Sequence, residues 1–129
     1  MDRVTHFDVP VNDVKRAKQF YAEAFQWQCS DVPGMGYTMI TTTAVDDQQM
    51  PKQPGAINGG MFKRNKEHPV QNVTAVVAVD NLEEKMKAVE AAGGKILAPV
   101  QKVGEMGLHA LVEDTEGNTF GIWQSIKKG

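Results

Sequence analysis

Val9-Pro10-Val11-Asn12-Asp13-Val14 and Val77-Ala78-Val79-Asp80-Asn81-Leu82 are two copies of one pattern, set 68 residues apart. Each passes from a β-branched run through a polar pair into an amphipathic stretch. In the first copy Thr5 to Val11 reads as a strand. Asn12 or Asp13 then supplies an N-cap, whose side-chain oxygen accepts a first-turn N–H. Val14, Ala17, Phe20, Tyr21, Ala24 and Phe25 recur at spacings of three and four, the apolar stripe of a helix. In the second copy Val73 to Val79 is the strand, and Asp80 with Glu83 resembles a capping box. Leu82, Met86 and Val89 form that helix's stripe, and Gly93-Gly94 ends it.

Outside the two copies the chain reads as strands and turns. Tyr37 to Thr43 is a β-rich run entered through Pro33-Gly34-Met35-Gly36. Asp46 to Pro54 is polar, carries two prolines and reads as a loop. Ala56 to Lys63 is a glycine-weakened strand. Leu108 to Val112 and Thr119 to Ile126 are strands joined by the turn Asp114-Thr115-Glu116-Gly117-Asn118. The order is β-α-β-β(-β) twice, and runs of strands after each helix indicate an α+β fold rather than a parallel βαβ one. A repeat of only two copies indicates a paired-module domain, not a solenoid.

The 129 residues suit one domain, with module one at about 1–66 and module two at about 70–129. A net charge of −2 offers no basic field for nucleic acid, and Lys63-Arg64-Asn65-Lys66 reads as a solvated turn after a strand. A single cysteine, Cys29, excludes an intrachain disulfide and a cysteine-based zinc cluster. No apolar run approaches the roughly 20 residues that span a bilayer, so no membrane partner is expected. A cytoplasmic location is the expectation, because the N-terminal stretch has no signal-peptide core.

Three stretches together resemble the vicinal oxygen chelate superfamily, which includes glyoxalase I, bleomycin-resistance proteins and extradiol dioxygenases. The first is Val11-Asn12-Asp13-Val14-Lys15-Arg16-Ala17-Lys18-Gln19-Phe20-Tyr21, after a strand holding His6-Phe7-Asp8-Val9. The second is Val89-Glu90-Ala91-Ala92-Gly93-Gly94-Lys95. The third runs from Glu113 through Gly117-Asn118 to Phe120-Gly121-Ile122-Trp123-Gln124, an ending similar to a glyoxalase-like subgroup. The resemblance implies two tandem βαβββ modules forming a cup-shaped, incompletely closed mixed β-barrel with helices outside. It also implies pairing as a homodimer, the commonest symmetric assembly.

In metal-dependent members of that superfamily four side chains hold one divalent cation. Carried onto this sequence, His6 matches the first ligand, but Thr74 stands where the second module needs His. Gly121 stands where the last strand needs Glu, and the equivalent position in module one falls near Asn58 or Gly60. Pro10 replaces the Arg that glyoxalase I uses to grip glutathione. A catalytic divalent site needs about three protein ligands, so neither a metal nor another cofactor is expected.

The expected function is therefore metal-independent binding of a small organic molecule in the cup, near His6, Asn58, Thr74, His109 and Trp123. His6 is read as a pocket histidine or as a strand histidine satisfied by a neighbour. His109 is read as cavity wall or ordinary surface, Trp123 as apolar floor or core, and Asn58 as a pocket hydrogen bond or turn chemistry. The alternatives are a metal-dependent lyase or isomerase of the glyoxalase type, and a structural role with the cup filled by side chains.

Overall fold

Eight strands and two helices form among residues 1–48 and 50–126, which the computed structural model describes. In chain order they are β1 (Arg3–Val11), α1 (Val14–Phe25), β2 (Gln28–Val32), β3 (Tyr37–Thr41), β4 (Asn58–Lys63), β5 (Thr74–Ala78), α2 (Leu82–Ala91), β6 (Lys95–Val103), β7 (Gly107–Glu113) and β8 (Thr119–Ser125). This is βαβββ twice, in an α+β fold. The loop expected over 46–54 is present, with Gln49 outside the described residues. Residues 127–129 of the second module also lie outside them.

The chain divides into two compact units, His6–Val73 and Met1–Thr5 together with the chain from Thr74 onward. In the first unit β2 pairs antiparallel with β3, β3 antiparallel with β4, and β4 parallel with β1. In the second, β6, β7, β8 and β5 repeat that order and those directions. Asp2 and Lys85, 2.6 Å apart, tie the N-terminal residues to the second unit's helix.

Each helix packs on one face of its own unit's strands. Residues of a strand alternate between faces, so Phe7, Val9 and Val11 of β1 meet Val14, Ala17 and Tyr21 of α1, with Ile40 and Met61 fully buried among them. Val77, Val79, Ala110, Val112, Phe120 and Ile122 meet Leu82, Met86 and Val89 of α2 in the same way. Fully burying one such aliphatic side chain contributes roughly 1.5–3 kcal/mol, so these faces fix the register of every strand that crosses them.

The α1 stripe is narrower than its spacing predicts. Val14, Ala17 and Tyr21 turn inward, while Ala24 is exposed and Phe20 and Phe25 are 55% and 54% exposed. Phe20 precedes the inward Tyr21 by one residue and therefore sits about 100° round the helix from it. Aromatic contact replaces burial at this end: Tyr21 stacks on Trp27 with ring centroids 5.0 Å apart, and Trp27 reaches Phe7.

The cap of α2 is also displaced from its expected position. Asn81, not Asp80, is the N-cap, and its side chain accepts from the Glu84 N–H at 3.0 Å. Asp13, its equivalent 68 residues earlier, accepts from the Arg16 N–H at 3.0 Å. The Leu82 N–H, another first-turn donor without a helical partner, donates to Gln124 Oε1 at 2.8 Å.

Two strands had no signature of their own. β2 is the polar segment Gln28-Cys29-Ser30-Asp31-Val32, and β6 contains Pro99 and two register shifts against β7. Proline cannot donate to a ladder, which confines it to edges and bulges; β6 has β7 as its one partner within its unit.

Replacing Asn81 with Ala should lower stability by about 1 kcal/mol, whereas Asp80→Ala should change it by less than about half of that. Urea unfolding of the two variants checks this; equal losses would return the cap to Asp80.

Candidate functional site

The face of each unit turned away from its helix carries the polar chemistry. In the first unit it presents His6 and Asp8 from β1, Tyr37 and Met39 from β3, and Asn58 and Gly60 from β4, by the same alternation that sends Val9 and Met61 inward. The register sets Asp8 opposite Gly60 and Met39 opposite Gly60 from the other side. Tyr37, two residues before Met39, leans diagonally across that glycine. A Cβ built on Gly60 would overlap the Tyr37 ring and hydroxyl. Glycine inside a strand marks such a close approach.

The phenol laid over Gly60 holds two partners. Tyr37 Oη donates to Asp8 Oδ1 at 2.8 Å and lies 2.8 Å from His6 Nε2. His6 Nε2 is itself 3.2 Å from Asp8 Oδ1. Burial first, and the adjacent Asp8 carboxylate second, push the Tyr37 phenol above its ordinary range. It therefore keeps its proton at any physiological pH. The Asp8 side chain is 12% exposed and that of His6 29%, so the acid is enclosed by the group it bonds while the imidazole keeps a solvent-reaching edge.

The second unit repeats this layout with different residues. Gly121 pairs with Val76, the equivalent of Asp8 at the 68-residue spacing, and with Leu111 of β7. His109, two residues before Leu111, holds Tyr37's position, and its Nε2 would lie 3.0 Å from a Cβ at Gly121. Trp123 pairs with His109 in register, with ring centroids 6.5 Å apart, and covers Gly107. Its Nε1 donates to Ser125 Oγ at 3.1 Å.

The four ligand positions implied by the resemblance are thus His6, Thr74, Gly60 and Gly121, the register deciding for Gly60 over Asn58. A divalent ion does not fit this set. Two positions have no side chain, a Cβ at Gly60 would overlap the Tyr37 ring, one at Gly121 would meet His109 at 3.0 Å and Val76 at 3.1 Å, and the carboxylate nearest His6 is bonded to Tyr37. Among the described residues no three His, Cys, Asp or Glu side chains gather in metal-holding geometry.

Of the expected site residues, His6 and Asn58 are register partners across β1 and β4. Asn58 Oδ1 accepts from the Thr42 and Thr43 N–H groups at 2.7 and 3.0 Å, fastening the chain after β3. Thr74 is buried at the start of β5. His109 and Trp123 are cross-strand neighbours on one face. His68, exposed in the loop after β4, accepts at Nδ1 from the Val70 N–H at 3.1 Å and packs on Phe62. Tyr37 and Asp8 were not anticipated; an interior strand glycine at position 60 was the one available sign of a large neighbour.

A separate groove of about 460 Å³ runs along α1, lined by Pro10, Arg16, Phe20, Arg64 and Val73. It contains none of the expected site residues. Its Arg64 guanidinium is already committed to Asn12 Oδ1 at 2.7 Å and the Pro10 carbonyl at 3.2 Å.

The chain is similar to several known proteins. The family described as bleomycin resistance protein-like N-terminal matches residues 3–43. A glyoxylase-like domain-containing protein of Didymella fabae is 30% identical over 123 residues, covering 93% of this chain and 91% of that one. CFP32 of Mycobacterium tuberculosis, named as a supposed glyoxylase, is also 30% identical over 123 residues; these cover 92% of this chain but only 44% of that longer protein. Among solved structures, a glyoxalase/bleomycin resistance protein/dioxygenase superfamily member from Vibrio splendidus 12B01 shares the fold at a TM-score of 0.66 and 12% identity, over 97% of this chain and 100% of that one.

Gly60→Ala should destabilise the protein by about 1–3 kcal/mol, as overpacking of a filled position does. Combined with Tyr37→Ala, the same glycine change should cost far less, a non-additivity expected of residues in contact. Denaturant unfolding of the single and double variants reads this, and strict additivity would remove Tyr37 from the space above Gly60.

Proposed function

Because this chain belongs to the vicinal oxygen chelate superfamily, among its glyoxalase-like members, we propose that it binds a small organic molecule without a metal ion. The observation that carries this reading is at the two glycine positions: the Tyr37 ring occupies the space a side chain on Gly60 would need, and His109 and Val76 crowd the space beside Gly121. Where metal-dependent relatives place ligating side chains, this chain presents rings and hydrogen-bonding groups. Small-molecule sites are commonly built from apolar and aromatic surface with a few placed polar groups.

Each unit offers a surface of its own. In the first, His6 is the polar anchor, held by Tyr37 and Asp8. In the second, Trp123 and His109 offer the aromatic surface, and the indole has a large flat face for a planar ligand. Thr74 and Asn58 each support the surface of their own unit rather than direct recognition, since one is buried and the other is bonded to backbone. The metal-dependent lyase or isomerase reading requires ligands from outside the family's positions. A cytoplasmic location belongs to the proposal, and no helix among the described residues is long and apolar enough to cross a membrane.

A ligand bound only by the folded state raises its unfolding temperature, so a thermal-shift screen of planar aromatic compounds should return stabilising hits. A metal chelator should leave those shifts unchanged. Trp123→Ala should abolish most of the shift, and Gln48→Ala should leave it intact. Hits that vanish with chelator would establish a metal site instead.

A homodimer is part of the same proposal. Phe20 and Phe25 leave aromatic surface exposed on α1, and exposed apolar patches mark interaction sites. Sedimentation at micromolar concentration should give about twice the 14.2 kDa chain mass, with Phe20→Ser/Phe25→Ser shifting the protein to monomer.

A further inference from the structure

The phenol of Tyr37 has one proton, and the geometry spends it on Asp8 Oδ1 at 2.8 Å. The Tyr37 oxygen, 2.8 Å from His6 Nε2, can then only accept. Asp8 Oδ1, 3.2 Å from the same nitrogen, is likewise an acceptor. Two acceptors converging on Nε2 require that it carry a proton, and in the neutral ring this leaves Nδ1 bare. A hydrogen bond made by one imidazole nitrogen sets the state of the other in this way. Among the described residues Nδ1 of His6 has no hydrogen-bond partner, and no buried side-chain nitrogen or oxygen there is left without one. Nδ1 is therefore open to solvent or to a ligand.

We infer that His6 Nδ1 is a fixed hydrogen-bond acceptor and that the ligand it selects carries a hydroxyl donor, as phenols and enols do. This deepens the binding reading above and rests on it. A group built to accept discriminates sharply, because an isosteric ether offers no proton and leaves the imidazole lone pair unsatisfied on desolvation. The Tyr37–Asp8 pair acts here as a positioning device: it holds the ring in one tautomer and one orientation without touching the ligand.

The test uses 2-naphthol and 2-methoxynaphthalene, which share a planar frame and differ in the donor, with binding measured by calorimetry on the full chain. The naphthol should bind about tenfold more tightly than its ether, the effect of one hydrogen bond to a desolvated partner. His6→Phe, which keeps a ring but has no acceptor, should lower the naphthol to the level of the ether and leave the ether unchanged. Long-range ¹H–¹⁵N correlation spectra of the free protein, recorded with His6 neutral, should show the proton on Nε2 alone. A proton on Nδ1, equal binding of the two compounds, or an unchanged preference in His6→Phe each overturns the inference while leaving metal-free binding standing. Failure of both compounds to bind overturns the inference together with the aromatic-binding reading beneath it.

Discussion

Each module closes by pairing its last strand parallel to its first, and that pairing constrains everything built on this chain. It sets Gly60 opposite Asp8 and Gly121 opposite Val76. Since side chains alternate along a strand, once Val9 and Met61, or Val77 and Ile122, face the helix, the neighbouring positions must face away from it. A slip of one residue would drive His6 and Asp8 into the apolar layer and expel the buried valines. The register is thus held by burial on one face, and the chemistry of the other face inherits its geometry.

That inherited geometry explains why a polar cluster is tolerable there. A carboxylate with a side chain only 12% exposed would be costly alone. Asp8 accepts from a phenol that burial keeps protonated, and an imidazole stands 3.2 Å away. No buried side-chain nitrogen or oxygen among the described residues lacks a partner, and a network in which every member is satisfied orders its site, whereas a half-satisfied one destabilises it. The small size of Gly60 is what admits the phenol, so an absent side chain at one position is the condition for the hydrogen bonds at three others.

Much of this was legible in the sequence, and the limits have physical causes. The 68-residue spacing identified both helices and both first strands, because local hydrophobic periodicity and capping chemistry are short-range signals, while the missing side chain at Gly121 was implied by the family resemblance. The spacing left the cap open between equivalents of Asn12 and Asp13, and the capping-box pattern pointed to Asp80 where the structure uses Asn81. It could not choose between Asn58 and Gly60, because the connection before β4 is far longer than the one before β8 and the spacing does not survive it. β2 and β6 were unreadable, since strands bonded on one side tolerate polar residues and proline. Tyr37 was invisible as a site residue: its role depends on a diagonal contact across two strands, which no local pattern encodes.

The two modules share a layout but not a chemistry, and the difference is informative. His6, Asp8 and Tyr37 stand in one where Thr74, Val76 and His109 stand in the other. In the first, an acid, a phenol and an imidazole form a connected set. In the second, valine at the acid's position removes the charge, and the His109 ring faces Trp123 at 6.5 Å. The repeat supplies equivalent positions, and because each position is fixed by its own module's register, one module can carry a hydrogen-bonding surface while the other carries an aromatic one. A symmetric metal site needs donors of matched reach from both modules. A binding surface has no such requirement, so the surface of each module is free to take its own chemistry.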